Sequence, residues 1–111
     1  MSIKTSLYVP DRDKEGKDVS SLQREVATYV ATRLSSKFGG CSEAVISGYW
    51  TTQDERLMQE KTLVLYVVEC EELQEEVLAL MYELVDYVKD TLNQQCVLMT
   101  IEEVAAAHFC Y

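Results

Sequence analysis

The apolar positions of this chain follow two rhythms. The one long apolar stretch rich in β-branched and aromatic residues, Lys61-Thr-Leu-Val-Leu-Tyr-Val-Val-Glu-Cys70, lies just past the middle. Its β-branched and aromatic content predicts a strand over about Thr62–Glu69. Leu63, Leu65 and Val67 form one row of that strand, and Val64, Tyr66 and Val68 the other. A strand apolar on both faces belongs in the middle of a sheet.

The other segments assort around it. Ile3, Thr5, Leu7 and Val9 alternate with Lys4, Ser6 and Tyr8, which is the two-residue period of a strand, and Pro10 ends it for want of an N–H. Ser20 with Gln23 three residues on reads as a capping box. Leu22, Val26, Ala27, Val30, Ala31, Leu34 and Phe38 then recur at helical spacing, and Gly39-Gly40 supplies a left-handed stop. The first helix is expected over Ser21–Phe38. Ser42–Thr51 reads as a second strand, with Gly48 marking a bulge or a close backbone approach. Thr52–Glu60 is a polar hairpin connection, long enough for the strands to run on as an exposed ribbon. A second helix is expected over Glu71–Leu92, on the stripe Leu73, Val77, Leu80, Met81, Leu84, Val88 and Leu92. Glu71, Glu72, Glu75 and Glu76 crowd its start, where carboxylates favour the helix dipole. Cys96–Ile101 is the last strand, with Val97, Met99 and Ile101 facing inward. Glu102–Tyr111 is a tail with an Ala-rich centre, able to add a short helix.

The order strand, helix, strand, strand, helix, strand predicts a ferredoxin-like α+β domain. Right-handed crossovers give a four-stranded antiparallel sheet in the order 4-1-3-2, with both helices on one face. At 111 residues the chain holds one core. On the bare face, Tyr8, Val64, Tyr66, Val68 and Leu98 would then lie together, joined by Tyr49. A contiguous apolar patch there marks an interface or a ligand surface. The leading expectation is a homodimer stacked sheet to sheet. The alternatives are that the tail covers the patch, or that it lines a small-molecule pocket with Tyr8, Tyr49, Trp50 and Tyr66.

In Phe38-Gly-Gly40, Gly48-Tyr-Trp50 and Lys61-Thr-Leu-Val64, the middle third of the chain resembles a family of small bacterial proteins. Its members carry a Phe-Gly-Gly-like helix end, a Gly-x-Trp strand, a polar hairpin and a Lys/Arg-x-x-Val strand. The resemblance implies the ferredoxin-like fold and brings no activity with it.

Charge and chemistry narrow the function classes. Nineteen acidic against ten basic side chains leave a net charge of −9. That disfavours direct nucleic-acid binding, which needs Lys and Arg, and suits an acidic surface offered to a basic protein partner. No apolar run approaches a membrane span, and the N-terminus lacks a signal-peptide pattern, so a cytoplasmic location is expected. Asp11, Asp13, Glu15 and Gly16 imitate half a calcium loop, but Leu22 stands where the twelfth-position Glu belongs, so a mobile solvated loop is expected instead. Cys41, Cys70 and Cys110 fall at one end of the sheet, near His108, with Cys96 at the other; no pair has zinc-ligand spacing, and small buried thiols are the better reading. His108, the one histidine, sits in the tail and makes a poor general base. No catalytic residue, cofactor or metal is expected. The primary functional expectation is a non-enzymatic regulatory protein, one version being an acidic inhibitor of a basic nucleic-acid-binding partner. It would meet that partner through the hairpin residues Asp54, Glu55, Arg56, Leu57 and Met58. The alternative is a small enzyme or ligand-binding protein using an aromatic pocket on the bare sheet face.

Overall fold

The computed structural model describes residues 1–105. The elements run β1 (Ser2–Val9), α1 (Ser20–Phe38), β2 (Ser42–Thr51), β3 (Leu57–Cys70), a single 3₁₀ turn (Glu71–Leu73), α2 (Gln74–Thr91) and β4 (Met99–Val104). The four strands form one antiparallel sheet in the order β2-β3-β1-β4, the ferredoxin-like arrangement expected from the sequence.

The register fixes which side chains share a face. Leu7 pairs with Leu65, Val9 with Leu63 and Thr5 with Val67, and all six are buried under the helices. They meet Val26, Ala27, Val30 and Leu34 of α1 and Val77, Met81, Leu84 and Val88 of α2. Apolar burial of this kind stabilises by about 1.5–3 kcal/mol per large side chain relative to exposure. Leu22 lies off that stripe and is 41% exposed. Among the described residues no helix is long and apolar enough to cross a membrane.

β3 is longer than the sequence pattern suggests. Its fourteen residues face ten on β2 but only eight on β1. Residues 57–62 therefore leave β1 behind and continue with β2 as a two-stranded ribbon, reaching roughly 20 Å at the usual rise per residue. Pairing along the ribbon is continuous, with Gly48 opposite Glu60, so Gly48 is not a bulge. The turn is closed by Thr52 N–H to Arg56 O at 2.9 Å, and Glu55 takes the left-handed region at φ 62°.

The point where β1 parts from β3 is held by side chains. Gln23, buried at 7% exposure, donates its Nε2 to Val9 O and to Lys61 O, each at 2.9 Å. It is thus a bridge between helix and sheet and not half of a capping box; Val19 precedes the helix and makes no side-chain cap. Asp18 does that work from one residue further out: its Oδ1 accepts the Ser20 N–H at 2.8 Å, and that bond is the main reason its carboxyl titrates below the ordinary range.

Of two other expectations, one is filled out and one corrected. The loop between β1 and α1, expected to be mobile and solvated, is exposed over residues 14–18 and carries hydrogen bonds of its own. Asp13 Oδ1 accepts the Glu15 and Lys17 N–H groups at 2.8 and 2.9 Å, and Arg12 forms a β-bridge with Asp18. The Lys17 N–H is the chief cause of a lowered Asp13 pKa. The last strand also starts later than expected, at Met99, because its partners on β1 run from Leu7 back to Ser2. Val97 and Met99 pack against the core as expected, whereas Ile101, on the edge, stays 50% exposed.

Replacing Gln23 by Leu keeps the volume and strips two carbonyl oxygens of their donor. The expected loss is about 1–3 kcal/mol, read as a lower urea midpoint at an unchanged slope.

Candidate functional site

The helix-free face carries the even-numbered positions of β1, β3 and β2. Tyr8 pairs with Val64, Ser6 with Tyr66 and Lys4 with Val68, while Ala44, Ile46, Gly48 and Trp50 continue the face along the ribbon. Leu98 joins through its carbonyl, which accepts the Tyr8 N–H at 3.0 Å. Tyr8, Val64, Tyr66, Val68 and Leu98 therefore share a face. Tyr49 does not. It pairs with Gln59, and so has the parity of the helix-covered rows; the two-residue period leaves no other placement.

The face is not uniformly bare. Val64 is only 6% exposed and Ser6 only 1%. Tyr8 and Tyr66 are half-buried, with the Lys4 ammonium 4.4 Å from the Tyr66 ring centroid and Thr100 Oγ1 3.4 Å from the Tyr8 hydroxyl. Val68 and Leu98 remain exposed, at 44% and 57%. Residues 102–104, expected to open the tail, instead continue β4 against β1; cover of the face by the rest of the tail, and the roles considered for His108 and Cys110, lie outside the described residues.

One concave feature of this face lies where β1 and β4 stop and the ribbon continues. There a groove of about 360 Å³ is bounded by Tyr8, Pro10, Ile46, Cys96, Val97 and Leu98, with Thr62, Glu60 and Gln94 as its polar members. A second hollow of about 410 Å³ shares Glu60 and Gln94 and continues toward Trp50, Met58 and the Arg12–Gly16 loop. Glu60 is half-buried and is the one carboxylate among the residues bounding the first groove. Gly48 pairs directly with it, and a Cβ built on Gly48 would meet nothing within 4 Å. The face is thus open beside the carboxylate.

Gln94 is placed by the helix end. Asn93 takes a left-handed φ of 52°, and the Gln94 N–H returns to Lys89 O at 2.9 Å. Its side chain then donates Nε2 to Arg12 O at 2.7 Å and to Leu92 O at 3.0 Å. Neither Glu60 nor Gln94 stands out in the sequence: one sits in a polar hairpin, the other in a polar stretch after a helix. The contact of Gln94 with Arg12 spans 82 residues and has no local signal.

The other candidates do not converge. At the far end of the sheet Cys41 is half-buried, and burial pushes its thiol up, away from thiolate chemistry. Cys70 and Cys96 are exposed rather than buried as expected. Among the described residues no three His, Cys, Asp or Glu side chains cluster to hold a metal. The hairpin residues Asp54, Glu55, Arg56 and Leu57 are exposed, and Met58 is half-buried; Arg56 Nε pairs with Asp54 at 3.3 Å.

No protein-family model and no curated protein matches the chain. Solved structures do. One is a phage SAM lyase in the apo state, at 17% identity and a TM-score of 0.59, covering 90% of this chain and 78% of that one. Another is a phage SAM lyase in complex with S-methyl-5′-thioadenosine, at 16% identity and a TM-score of 0.57, covering 92% of this chain and 81% of that one. At such identities the likeness establishes the shared fold.

Because Gly48 has ordinary extended backbone and free space around it, Gly48→Ala is expected to hold or raise stability, by about 0.5 kcal/mol, through the unfolded chain. A fall in thermal midpoint would show that the glycine is needed by the fold itself.

Proposed function

We propose that the chain binds a cationic adenosyl sulfonium of the S-adenosylmethionine class in the groove between Tyr8, Ile46, Glu60, Gln94 and Leu98. The observation that carries this reading is the groove's composition: aromatic and aliphatic walls around a single carboxylate. Apolar walls suit a planar base, and a half-buried carboxylate suits a positive charge that carries no hydrogen-bond donor of its own. The volume falls within the usual range for small-molecule sites. The fold shared with the SAM lyases supports the choice of ligand, and the thioadenosine complex supplies a neutral reference compound.

Chemistry assigns Glu60 a definite role. When the ligand's own carboxylate attacks the sulfur-bearing carbon of the aminobutyrate arm, a carbon–oxygen bond forms as the sulfur–carbon bond breaks, the electron pair returns to sulfur and the arm leaves as a lactone. The positive charge on sulfur disappears, leaving S-methyl-5′-thioadenosine. A carboxylate facing that sulfur binds the cation better than the thioether, and so separates substrate from product. Its attraction shrinks along the reaction, so charge pairing alone gives affinity rather than rate.

Calorimetry with both compounds tests this. Wild type is expected to bind S-adenosylmethionine more tightly than the thioether. Glu60→Gln should weaken the sulfonium by about tenfold, equivalent to about 1.4 kcal/mol, and leave the thioether nearly unchanged. Equal losses for both, or no binding of either, would remove the groove from consideration. Chromatographic detection of the thioether after incubation with S-adenosylmethionine would assign lyase turnover as well.

A second reading is favoured by the exposed Val68 and Leu98 on the sheet face and by the exposed ribbon tip. In it the protein is a non-enzymatic homodimer, joined through the Tyr8–Tyr66 face, that presents its acidic surface and hairpin to a basic protein. Tyr66→Ala should then raise the dimer dissociation constant about thirtyfold in sedimentation or light scattering. A dimer indifferent to that change is not joined through this face.

A further inference from the structure

We infer that Gln94 is the groove's base-reading residue: its amide oxygen accepts the exocyclic amino group of the ligand's adenine. The inference rests on the groove being an adenosyl site, and adds to that reading the part of the ligand that is discriminated.

A glutamine amide is ordinarily ambiguous, since rotation by half a turn exchanges donor for acceptor. Here the ambiguity is removed by the surroundings. Arg12 O at 2.7 Å and Leu92 O at 3.0 Å both accept from Nε2, and neither would tolerate an oxygen in its place. Both amide hydrogens are therefore used inside the protein. Oε1 receives no hydrogen bond from the described residues, and Gln94 borders the groove and the hollow beside it. The chain thus holds a carbonyl oxygen of fixed orientation beside a groove whose one carboxylate, Glu60, is also an acceptor.

The fixation is built from distant parts of the chain. The left-handed Asn93 turns the backbone out of α2, and Asn93 O accepts the Lys14 N–H at 3.0 Å, tying the same corner to the loop after β1. An acceptor held this way selects by polarity. Adenine offers an N–H at its 6-position, whereas hypoxanthine offers a carbonyl oxygen there, which would face Oε1 with no proton between them. A site built to pair a polar group rejects an analogue that cannot pair far better than apolar walls reject a change of shape.

Binding of S-methyl-5′-thioadenosine and S-methyl-5′-thioinosine, measured by calorimetry on the full chain, decides the matter. Wild type is expected to favour the adenosine compound at least tenfold, and Gln94→Met to bring the two to near equality. Gln94→Lys provides the second variant: its ammonium can still donate to Arg12 O and Leu92 O, but it has no acceptor, so it too should lose the preference while keeping the loop closed. Equal binding of the two compounds by wild type, or a preference that survives both substitutions, overturns the assignment and leaves the groove reading intact. Failure of wild type to bind either compound overturns this inference, and failure to bind S-adenosylmethionine as well overturns the groove reading with it.

Discussion

The structure depends on a mismatch of strand lengths. β3 runs for fourteen residues, β1 for eight and β4 for six. Where β1 ends, the central strand loses a ladder partner on one side, and its backbone groups need new ones. Lys61 stands at that step, and both of its groups are met by side chains: its N–H donates to Asp11 Oδ2 at 3.2 Å, and its carbonyl accepts from Gln23 at 2.9 Å. The ribbon beyond is therefore anchored at its root, and the sheet narrows there from four strands to two. The groove is that step. It exists because two strands stop and two continue, and its walls are what the stopping strands leave behind.

Most of the architecture is legible from hydrophobic spacing, for a physical reason. The rows Leu7/Val9, Leu63/Leu65/Val67 and the stripes of both helices bury against one another, and burial is what spacing reports. The same logic places Tyr8, Val64, Tyr66, Val68 and Leu98 on the opposite face. It fails for Tyr49, where bulk suggested the face but register decides it. It fails again for Gln23, whose spacing from Ser20 imitates a local cap while its partners lie 14 and 38 residues away. Spacing is silent on Glu60 and Gln94, because a polar residue's role depends on which distant groups share its pocket. Composition reports that the carboxylates of the loop Asp11–Val19 are solvated but not that Asp13 and Asp18 also bind backbone amides.

That loop links stability to the site. It holds Asn93 and Gln94 through Lys14 N–H, Asp13 Oδ2 and Arg12 O, so the end of α2 and the loop after β1 form one corner. Precise placement of a side chain needs neighbours whose own positions are fixed. Here every fixing contact falls on the amide nitrogen or on the backbone, and none consumes the amide oxygen.

Charge acts on the same site from a longer range. The chain carries a net charge of −9, and two of the groove's polar side chains, Glu60 and Gln94, offer acceptor oxygens. The overall field raises the local concentration of cations and lowers that of anions, an effect that salt weakens over about 8–10 Å. The fixed acceptors act at contact distance, where salt matters less. An anionic nucleotide would be opposed at both ranges, by the field on approach and by unpaired oxygens on arrival. A cationic nucleoside is favoured at both, and only the apolar walls are indifferent to sign. Polarity, more than shape, therefore sets which ligands this open groove can retain.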